Sequence, residues 1–586
     1  MNLSEEQSAA VNHGGNTFVT ACPGSGKTRA LTARLSLGMK MLEKNSERVL
    51  AVTFTNRAAD EIKSRISITE GSKSQQMWAG TIHSFALEWI IKPYAAYFPY
   101  LNNGYNIADE YESQKTLSRL KQESGLNLYD EVNTTFDRNG NVINHTSATR
   151  EVEKEYREIL KQSKKIDFDQ ALYFAFEMLG KFPEIAITLG SIFRLVCIDE
   201  VQDTQDLQYG ILSFIHNHST DKPKLFIVGD VNQAIYEGIG GQPKSLSELN
   251  NEFIDSNIIH FTFKDNYRST QRIVDYFSYF RSTQGIKSKS INFADSGTIK
   301  FLNQEIHKDD LAYTLAKLID DQIKSGVNEN EICVIAPQWA LIRSLSKKLI
   351  VLLPHIQFDA PSLSPFNGQQ ENIWLTITKL ALTTPSGRLY STRIRWANEV
   401  IAGLQDSYHQ LSNFHAKKLL KIVNEFRSET IEGMKYLHEF FEHILKKLEI
   451  DITIDSHLAE LHSMFFEKAK KNILAANGEY EDTVSSFRQF FKKSTGVVIN
   501  TCHGVKGEEY ETVIVFGLLR GFIPHWNDII NRTDEHAYNS ESKLLYVIAS
   551  RAKKRLFLIS EKGRQTQRRN PYGTANILTG YNFNYD

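Results

Sequence analysis

The stretch FVTACPGSGKTRALTARLSL, Phe18 to Leu37, sets the reading of this chain. Phe18 to Ala21 is an apolar run of strand type, and Leu31, Leu35, Leu37 and Leu42 follow in a helical pattern. Between them lies ACPGSGKT, Ala21 to Thr28. Strand, glycine loop and helix in that order are what a phosphate-binding loop requires. Backbone N–H groups and the helix N-terminus offer partial positive charge to phosphates, Lys27 reaches the terminal ones, and the Thr28 hydroxyl is placed to ligate Mg²⁺. Ala21 stands where the usual G-x-x-x-x-G-K-[ST] pattern has its first glycine. Gly24 and Gly26 keep the close approach open, so Gly24, Ser25, Gly26, Lys27 and Thr28 form the expected nucleotide cradle. A chance glycine-rich turn is the competing reading.

A second stretch, CIDEVQD at Cys197 to Asp203, ends the apolar strand Leu195 to Ile198. Asp199 is placed to hold Mg²⁺ directly or through water, and Glu200 to orient and deprotonate an attacking water. An exposed acidic turn would give the same letters, but two such signatures on separate strands leave that reading little room. Together they point to hydrolysis of a nucleoside triphosphate.

Beyond these two signatures, an ordered series of motifs resembles superfamily 1 helicases of the UvrD/Rep/PcrA type over nearly the whole chain. LSEEQSAAV at Leu3 to Val11 resembles the Q motif, which implies that Gln7 reads the adenine edge of ATP and that Arg29 lies near the base. TFTNRAADEIKSRI at Thr53 to Ile66 resembles motif Ia and GTIHSF at Gly80 to Phe85 motif Ib; both imply contacts to single-stranded DNA, through Phe54, Asn56, Arg57 and His83. IDFDQAL at Ile166 to Leu172 is similar to the segment preceding motif II. VGDVNQAIY at Val228 to Tyr236 resembles motif III, implying that Gln233 senses the terminal phosphate and Tyr236 touches a base.

NYRST at Asn266 to Thr270 resembles motif IV, with Tyr267 stacking on adenine and Arg268 as one arginine finger. INTCHGVKGEEY at Ile499 to Tyr510 resembles motif V, with Glu509 near the ribose and Thr501 and His503 toward DNA. GFIPH at Gly521 to His525 is similar to the DNA-contacting segment that follows, which brings in His525. LLYVIASRAKKRL at Leu544 to Leu556 resembles motif VI, with Arg551 as the second finger. Phosphoryl transfer fits this set, because Lys27, Mg²⁺, Arg268 and Arg551 would surround the developing charge from opposite sides.

The resemblance implies an α/β fold of two RecA-like parallel-sheet lobes, 1A and 2A, with mainly helical insertion domains, 1B and 2B. The strand-like runs agree. The first core takes Phe18 to Ala21, Val49 to Thr53, Leu195 to Ile198, Leu225 to Val228 and Ile258 to Phe263; the second takes Ile332 to Ala336, Val497 to Asn500, Val513 to Phe516 and Leu556 to Ile559. A polar, Asn-rich stretch interrupts the first core and a strongly helical one the second. The expected boundaries are 1–91 and 166–268 for 1A, 92–165 for 1B, 269–384 and 494–586 for 2A, and 385–493 for the 2B-like insertion. In that insertion Met434, Leu437, Phe441, Ile444, Leu445 and Leu448 share one helical face.

Composition bounds the rest. The chain has 586 residues, 41% hydrophobic and 23% charged, which suits roughly four domains of about 150 residues each. Its formal net charge of -1 advertises no global affinity for nucleic acid, so a DNA site must be a local groove fed by Arg57, Lys63 and Arg65 with Phe54 and Tyr236 interleaved. Cys22, Cys197, Cys333 and Cys502 show no C-x-x-C spacing, which argues against a zinc or iron–sulfur site and suits a reducing cytoplasm. No secretory leader and no apolar run of about 18 residues argue for a cytoplasmic protein without membrane partners. His216 and His218 read as solvated residues of a surface turn.

The resemblance has departures. Where motif III of the family continues with an aromatic residue and an arginine, this chain has Gly238 and Ile239, and the 2B-like segment lacks a Gly-Ile-Gly hairpin. The expected activity is a DNA-dependent ATPase with 3′ to 5′ translocation along single-stranded or tailed DNA. The departures keep a second expectation open: a DNA-sensing ATPase subunit that regulates a partner nuclease, as in a Gabija-type antiphage system beside an OLD-family nuclease. A P-loop enzyme acting on a small molecule would require the whole motif series to be accidental.

Overall fold

The computed structural model describes residues 3–586 apart from 109, 128–129, 237, 239, 282–287, 292–295, 361–364, 367–372, 387–388, 406, 412, 476–481, 492–495, 532 and 567. Two six-stranded sheets organise it. The first runs in the order Met77–Gly80, Arg48–Val52, Phe193–Ile198, Lys224–Gly229, Thr17–Ala21, Ile259–Phe263. The second runs Thr298–His307, Ala552–Lys562, Tyr510–Val515, Ile332–Ala336, Val497–Thr501, Phe358–Asp359. Each of their neighbouring pairs is parallel. A parallel sheet is covered by helices on both faces, so its central strands carry apolar side chains on both sides. Ile332–Ala336, buried at every residue, is the clearest case. The chain is therefore α/β with two RecA-like lobes.

The strand order places the site. Phe193–Ile198, Lys224–Gly229 and Thr17–Ala21 are consecutive neighbours, and their C-terminal ends lead into Asp199 and Glu200, Asp230, and the glycine loop. Ligands of open α/β sheets bind at that edge.

Helical material fills the interruptions. Glu110–Glu123 and Ser147–Gln162 pack around Leu120, Val152, Tyr156 and Leu160. The six helices Ile373–Leu382, Tyr390–Gln405, Ala416–Glu425, Gly433–Lys447, Ser456–Ala475 and Val484–Gln489 enclose a separate core that includes Trp374, Leu437, Phe441, Phe465 and Phe487. Two ion pairs tie this helical body to the first lobe side: Arg395 to Asp60 at 2.9 Å and Lys165 to Glu460 at 3.2 Å.

Some expectations change. His216 is not in a solvated turn: it lies in the helix Asp206–His218, is 1% exposed, and meets Phe253 edge-on at 5.6 Å. The apolar spacing of Leu207, Ile211 and Ile215 extends the helix over both histidines, and burial lowers the His216 pKa. His218 stays at the surface, stacked on Phe214. The strands Met77–Gly80, Thr298–His307 and Phe358–Asp359 were not expected from the apolar runs. All four cysteines are free and buried, and burial, the main cause, pushes the Cys22 thiol up to about 11. Of the two motif III departures, Gly238 is described and Ile239 lies outside the described residues. No helix among the described residues is long and apolar enough to cross a membrane.

Candidate nucleotide site and nucleic-acid groove

The loop after Thr17–Ala21 makes its turn with two left-handed glycines, Gly24 at φ +71° and Gly26 at φ +80°. Neither tolerates a side chain: a Cβ on Gly24 would stand 2.6 Å from the Arg268 Cβ, and one on Gly26 would stand 2.7 Å from the Gln7 amide nitrogen. The helix Lys27–Lys40 then starts without a side-chain cap, leaving its first N–H groups and the positive end of its dipole at the loop. Ser25 closes the loop by donating to the Cys22 carbonyl at 2.7 Å. Thr28 is the second residue of this helix and Arg29, exposed, the third.

Lys27 Nζ is buried, makes no hydrogen bond, and lies 3.5 Å from Glu200. Burial opposes its charge, but the carboxylates of Glu200, Asp230 and Asp199 outweigh it and raise its pKa. The two adjacent carboxyls behave oppositely. Burial and the neighbouring Glu200 charge push Asp199 up to about 7, while for Glu200 the penalty of burial is overcome by Lys27, Lys506 and a hydrogen bond from Gln202, which hold it near 2. Glu200 is also held at φ +50°, a left-handed conformation unusual for a non-glycine residue. That strain, at the end of a sheet strand, aims its carboxylate back at Lys27.

From the second lobe, Arg551 enters the seam almost fully buried, at 1% exposure. Its guanidinium donates to the Gln233 side-chain oxygen at 3.2 Å, the Val547 carbonyl at 3.0 Å and the Glu508 carbonyl at 3.1 Å. Burial first, then Arg268, lower its pKa to about 9, so it remains charged at neutral pH. Gln233 in turn donates to Asp230 at 2.7 Å. Arg268 reaches Glu509 at 2.7 Å and the Ser550 carbonyl at 2.9 Å. Glu509 is shared with Lys553 at 3.5 Å. Lys27, Glu200, Gln233, Arg268 and Arg551 are thus gathered in one cleft between the lobes.

Two further expected positions border the loop. Tyr267 donates its backbone N–H to the Gly24 carbonyl at 2.9 Å and leaves its ring 41% exposed. Gln7 is buried, with its amide nitrogen donating to the Ser25 carbonyl at 2.7 Å and its oxygen accepting from Ser4 at 3.1 Å. In this conformation the Gln7 amide braces the loop.

The aromatic side of the cleft begins three residues after Gln233. Tyr236 stacks on Phe54 with centroids 4.4 Å apart, meets His503 at 5.6 Å, and carries the Lys506 ammonium 4.9 Å from its ring. Tyr236, His503 and His525 line one cavity of about 440 Å³ between the lobes. Phe54 and His83 line a smaller one of about 140 Å³ that also touches Asp199 and Glu200. His83 packs against Phe168, and burial lowers its pKa to about 4, so it is neutral near pH 7. Asn56 opens the helix Asn56–Glu70, and the next residue, Arg57, reaches Glu508 of the other lobe at 2.5 Å. Thr501 ends a second-lobe strand, where its hydroxyl accepts from Gly504 at 3.1 Å. Arg65 is paired with Glu61 on the same helix at 2.5 Å.

The UvrD/REP helicase N-terminal domain model matches residues 3–254 and the UvrD-like helicase C-terminal domain model matches residues 366–563. The chain belongs to the UvrD/Rep helicase family. Membership makes it an enzyme of the ATP-hydrolysing DNA-helicase type. It is 25% identical to the ATP-dependent DNA helicase UvrD1 of Mycobacterium tuberculosis, over 94% of this chain and 81% of that protein. It is 24% identical to a probable DNA helicase II homolog of Mycoplasma capricolum, over 96% of this chain and 84% of the relative. Identity to the ATP-dependent DNA helicase PcrA of Staphylococcus epidermidis is 22%, over 95% and 83%.

Four residues of the helicase site were not singled out from the sequence. Lys506 reaches across the seam to Asp203 at 2.5 Å and to the Gln233 carbonyl at 2.6 Å. Asn266 donates to the Pro23 carbonyl at 2.6 Å and accepts from the backbone of Arg268 and Ser269, joining the glycine loop to the Arg268 segment. Gln202 donates to Glu200 at 2.6 Å and accepts the Asp230 N–H at 3.0 Å, and Asp230 organises Gln233. Each lies inside a quoted motif, so the available signal was a polar residue in a motif with no role assigned. Lys506 and Asn266 act on partners far apart in the chain, and Gln202 and Asp230 act through local backbone turns, which kept those roles out of view.

Proposed function

We propose that this chain hydrolyses ATP in the seam between its lobes and couples that hydrolysis to movement along single-stranded DNA in the 3′ to 5′ sense. One observation carries the proposal. Arg551 of one lobe holds Gln233 of the other, and three residues beyond Gln233 the Tyr236 ring is stacked on Phe54. A change at the terminal phosphate would therefore reach a base platform through a single short segment.

The residues divide the work. The loop N–H groups and Lys27 bind the phosphates, with Tyr267 and Gln7 placed toward the base and Glu509 toward the sugar. The buried Asp199 Oδ1 lacks a hydrogen-bond partner and shares the cleft with Lys27, which fits a cation ligand; with the Thr28 hydroxyl it would hold Mg²⁺. Magnesium supplies charge neutralisation at the phosphates. Glu200, ionised at neutral pH, accepts a hydrogen bond from the attacking water and orients it. Its low pKa favours orientation over early proton removal, which suits a loose transition state. Arg268 and Arg551 stabilise the equatorial oxygens once the lobes close. Phe54, Tyr236, His503 and His525 would bear the strand, with Asn56, Arg57, His83 and Thr501 beside them, by stacking that tolerates any sequence.

The test is ATP turnover with and without single-stranded DNA, followed by strand displacement on a 3′-tailed duplex. Turnover is expected to rise with DNA; flat turnover overturns the coupling. Displacement from a 5′ tail alone overturns the polarity. Beyond the Gly238 and Ile239 departures in the sequence, nothing among the described residues favours the alternative of a sensor that regulates a partner nuclease.

A further inference from the structure

A cavity of about 480 Å³ opens away from the motor cleft, where the segment 98–105 faces the helix Phe168–Lys181. Its volume falls in the range of small-molecule sites, about 300–1,000 Å³. Phe98, Tyr100, Tyr105 and Phe174 form an aromatic wall, with Tyr100 and Phe174 centroids 4.7 Å apart. The rim is cationic: Lys161, Lys164, Lys165 and Lys181 all border it. Lys181 is neutralised by Glu177 at 2.6 Å, and Lys165 by Glu112 at 2.6 Å and Glu460 at 3.2 Å. Lys161 and Lys164 are exposed and have no carboxylate partner among the described residues. Lys164 is held at φ +52°, a conformation a lysine rarely adopts.

Two uncompensated ammonium groups above an aromatic wall complement a ligand with a flat apolar body and a phosphate, whose charge at neutral pH is roughly −1.5 to −2 as a monoester and about −1 as a diester within a strand. We propose that this cavity binds a nucleoside phosphate, either a free nucleotide or one unit of a strand. The ring stacks on Tyr100 and Tyr105, and the phosphate sits between Lys161 and Lys164. Lys165 gives the site a mechanical consequence. It borders the cavity and also anchors Glu460 of the helical body, so an anion drawing on Lys165 competes with that anchor.

Photo-crosslinking tests this on the full chain, with 5-iodo-deoxyuridine monophosphate in one arm and an oligo(dT) strand carrying one 5-iodouracil in the other. Adducts on Tyr100 or Tyr105 are expected, and whichever arm yields them identifies the source. The K161E/K164E variant should lower their yield by roughly tenfold, the loss of two charge contacts, without altering the fold seen by circular dichroism. Glu460→Gln removes one of the two carboxylates on Lys165, leaving Glu112, and should raise the yield. Adducts confined to Phe54 and Tyr236, or adducts on Tyr100 and Tyr105 that K161E/K164E leaves unchanged, would overturn the proposal. So would protection of the rim lysines by a polyglutamate peptide without any nucleotide adduct. The Lys27→Ala protein should give the same adducts, so the outcome is read independently of ATP hydrolysis.

Discussion

At the residue scale, the opposite protonation of two neighbouring carboxyls carries a consequence for stability. Asp199 has a folded pKa near 7, well above the usual aspartate value, because burial and Glu200 both disfavour its charge. Between roughly pH 4 and 7 the folded chain therefore binds a proton that the unfolded chain has lost. Unfolding free energy falls as pH rises through that window. Glu200 works the other way, its folded pKa near 2 contributing stability that is complete above the usual glutamate value and lost only in acid. Asp199→Asn should raise the melting temperature of the nucleotide-free protein at pH 7.5 and flatten its pH dependence between 5 and 7, while abolishing turnover. A melting curve series in which the variant tracks the parent at every pH would refute this. The letters DE showed that two carboxyls stand at a strand end, but they do not carry which one burial would protonate.

At the element scale, the segment between the strands Val497–Thr501 and Tyr510–Val515 joins the lobes together with Arg551. Lys506 is its deepest contact, with its side chain 8% exposed and Asp203 1% exposed. A buried pair gives little net stability over an apolar replacement, whereas removing one partner strands the other, at about 3–5 kcal/mol. Lys506→Met should thus lower stability sharply. K506M combined with D203N should recover most of the loss, since neither leaves a buried charge. Neither single-site nor paired variant should alter the phosphate loop itself, so nucleotide affinity stays near that of the parent while stimulation by DNA falls. Additive destabilisation in the double variant would show that the pair is not the contact that matters.

The same scale shows what the sequence made legible. Central strands such as Ile332–Ala336 are continuous apolar runs because parallel sheets bury both faces, and they were visible. Of the edge strands, Ile259–Phe263 was visible and the other three were not. Thr298–His307 has Ile299 as its one buried residue, the others being half-buried or exposed, with Asn303 and Gln304 among them, and Phe358–Asp359 spans two residues. The residues that touch nucleotide in a P-loop fold sit in short local motifs and could be read directly. Lys506, Asn266 and Gln202 could not, because their roles depend on atoms hundreds of residues away or on one backbone turn. His216 failed for a related reason: polar neighbours disguised a helix face that packs on Phe253.

At the scale of the whole molecule, Arg268 and Arg551, the two proposed fingers, are already in the seam, and the charges there are unevenly matched. Lys27 faces Glu200 and Asp230, Arg268 is paired with Glu509, Asp199 is only partly ionised near pH 7, and Arg551 has no ion pair among the described residues. Arg551 sits in a dry environment that lowers its pKa to about 9, and a triphosphate supplies the negative charge that this group lacks. Binding of ATP should accordingly tighten the seam, and Arg551 should matter to the reaction far more than to the binding, which the loop and Lys27 provide. Arg551→Ala is expected to retain nucleotide binding, lose hydrolysis by about a thousandfold as for other arginine fingers, and lose the nucleotide-driven approach of the lobes. Its buried hydrogen bonds to the Val547 and Glu508 carbonyls also disappear, so some loss of stability, about 1–3 kcal/mol, should accompany the change. Arg551→Lys separates the two effects: it keeps a charge but cannot reach Gln233 and both carbonyls together, so stability partly recovers while hydrolysis does not. The measurements are fluorescent-nucleotide titration, phosphate release, and energy transfer between dyes on the two sheets with a non-hydrolysable analogue. Hydrolysis that survives in Arg551→Ala, or lobes that close equally without the guanidinium, would move the finger role to Arg268 alone.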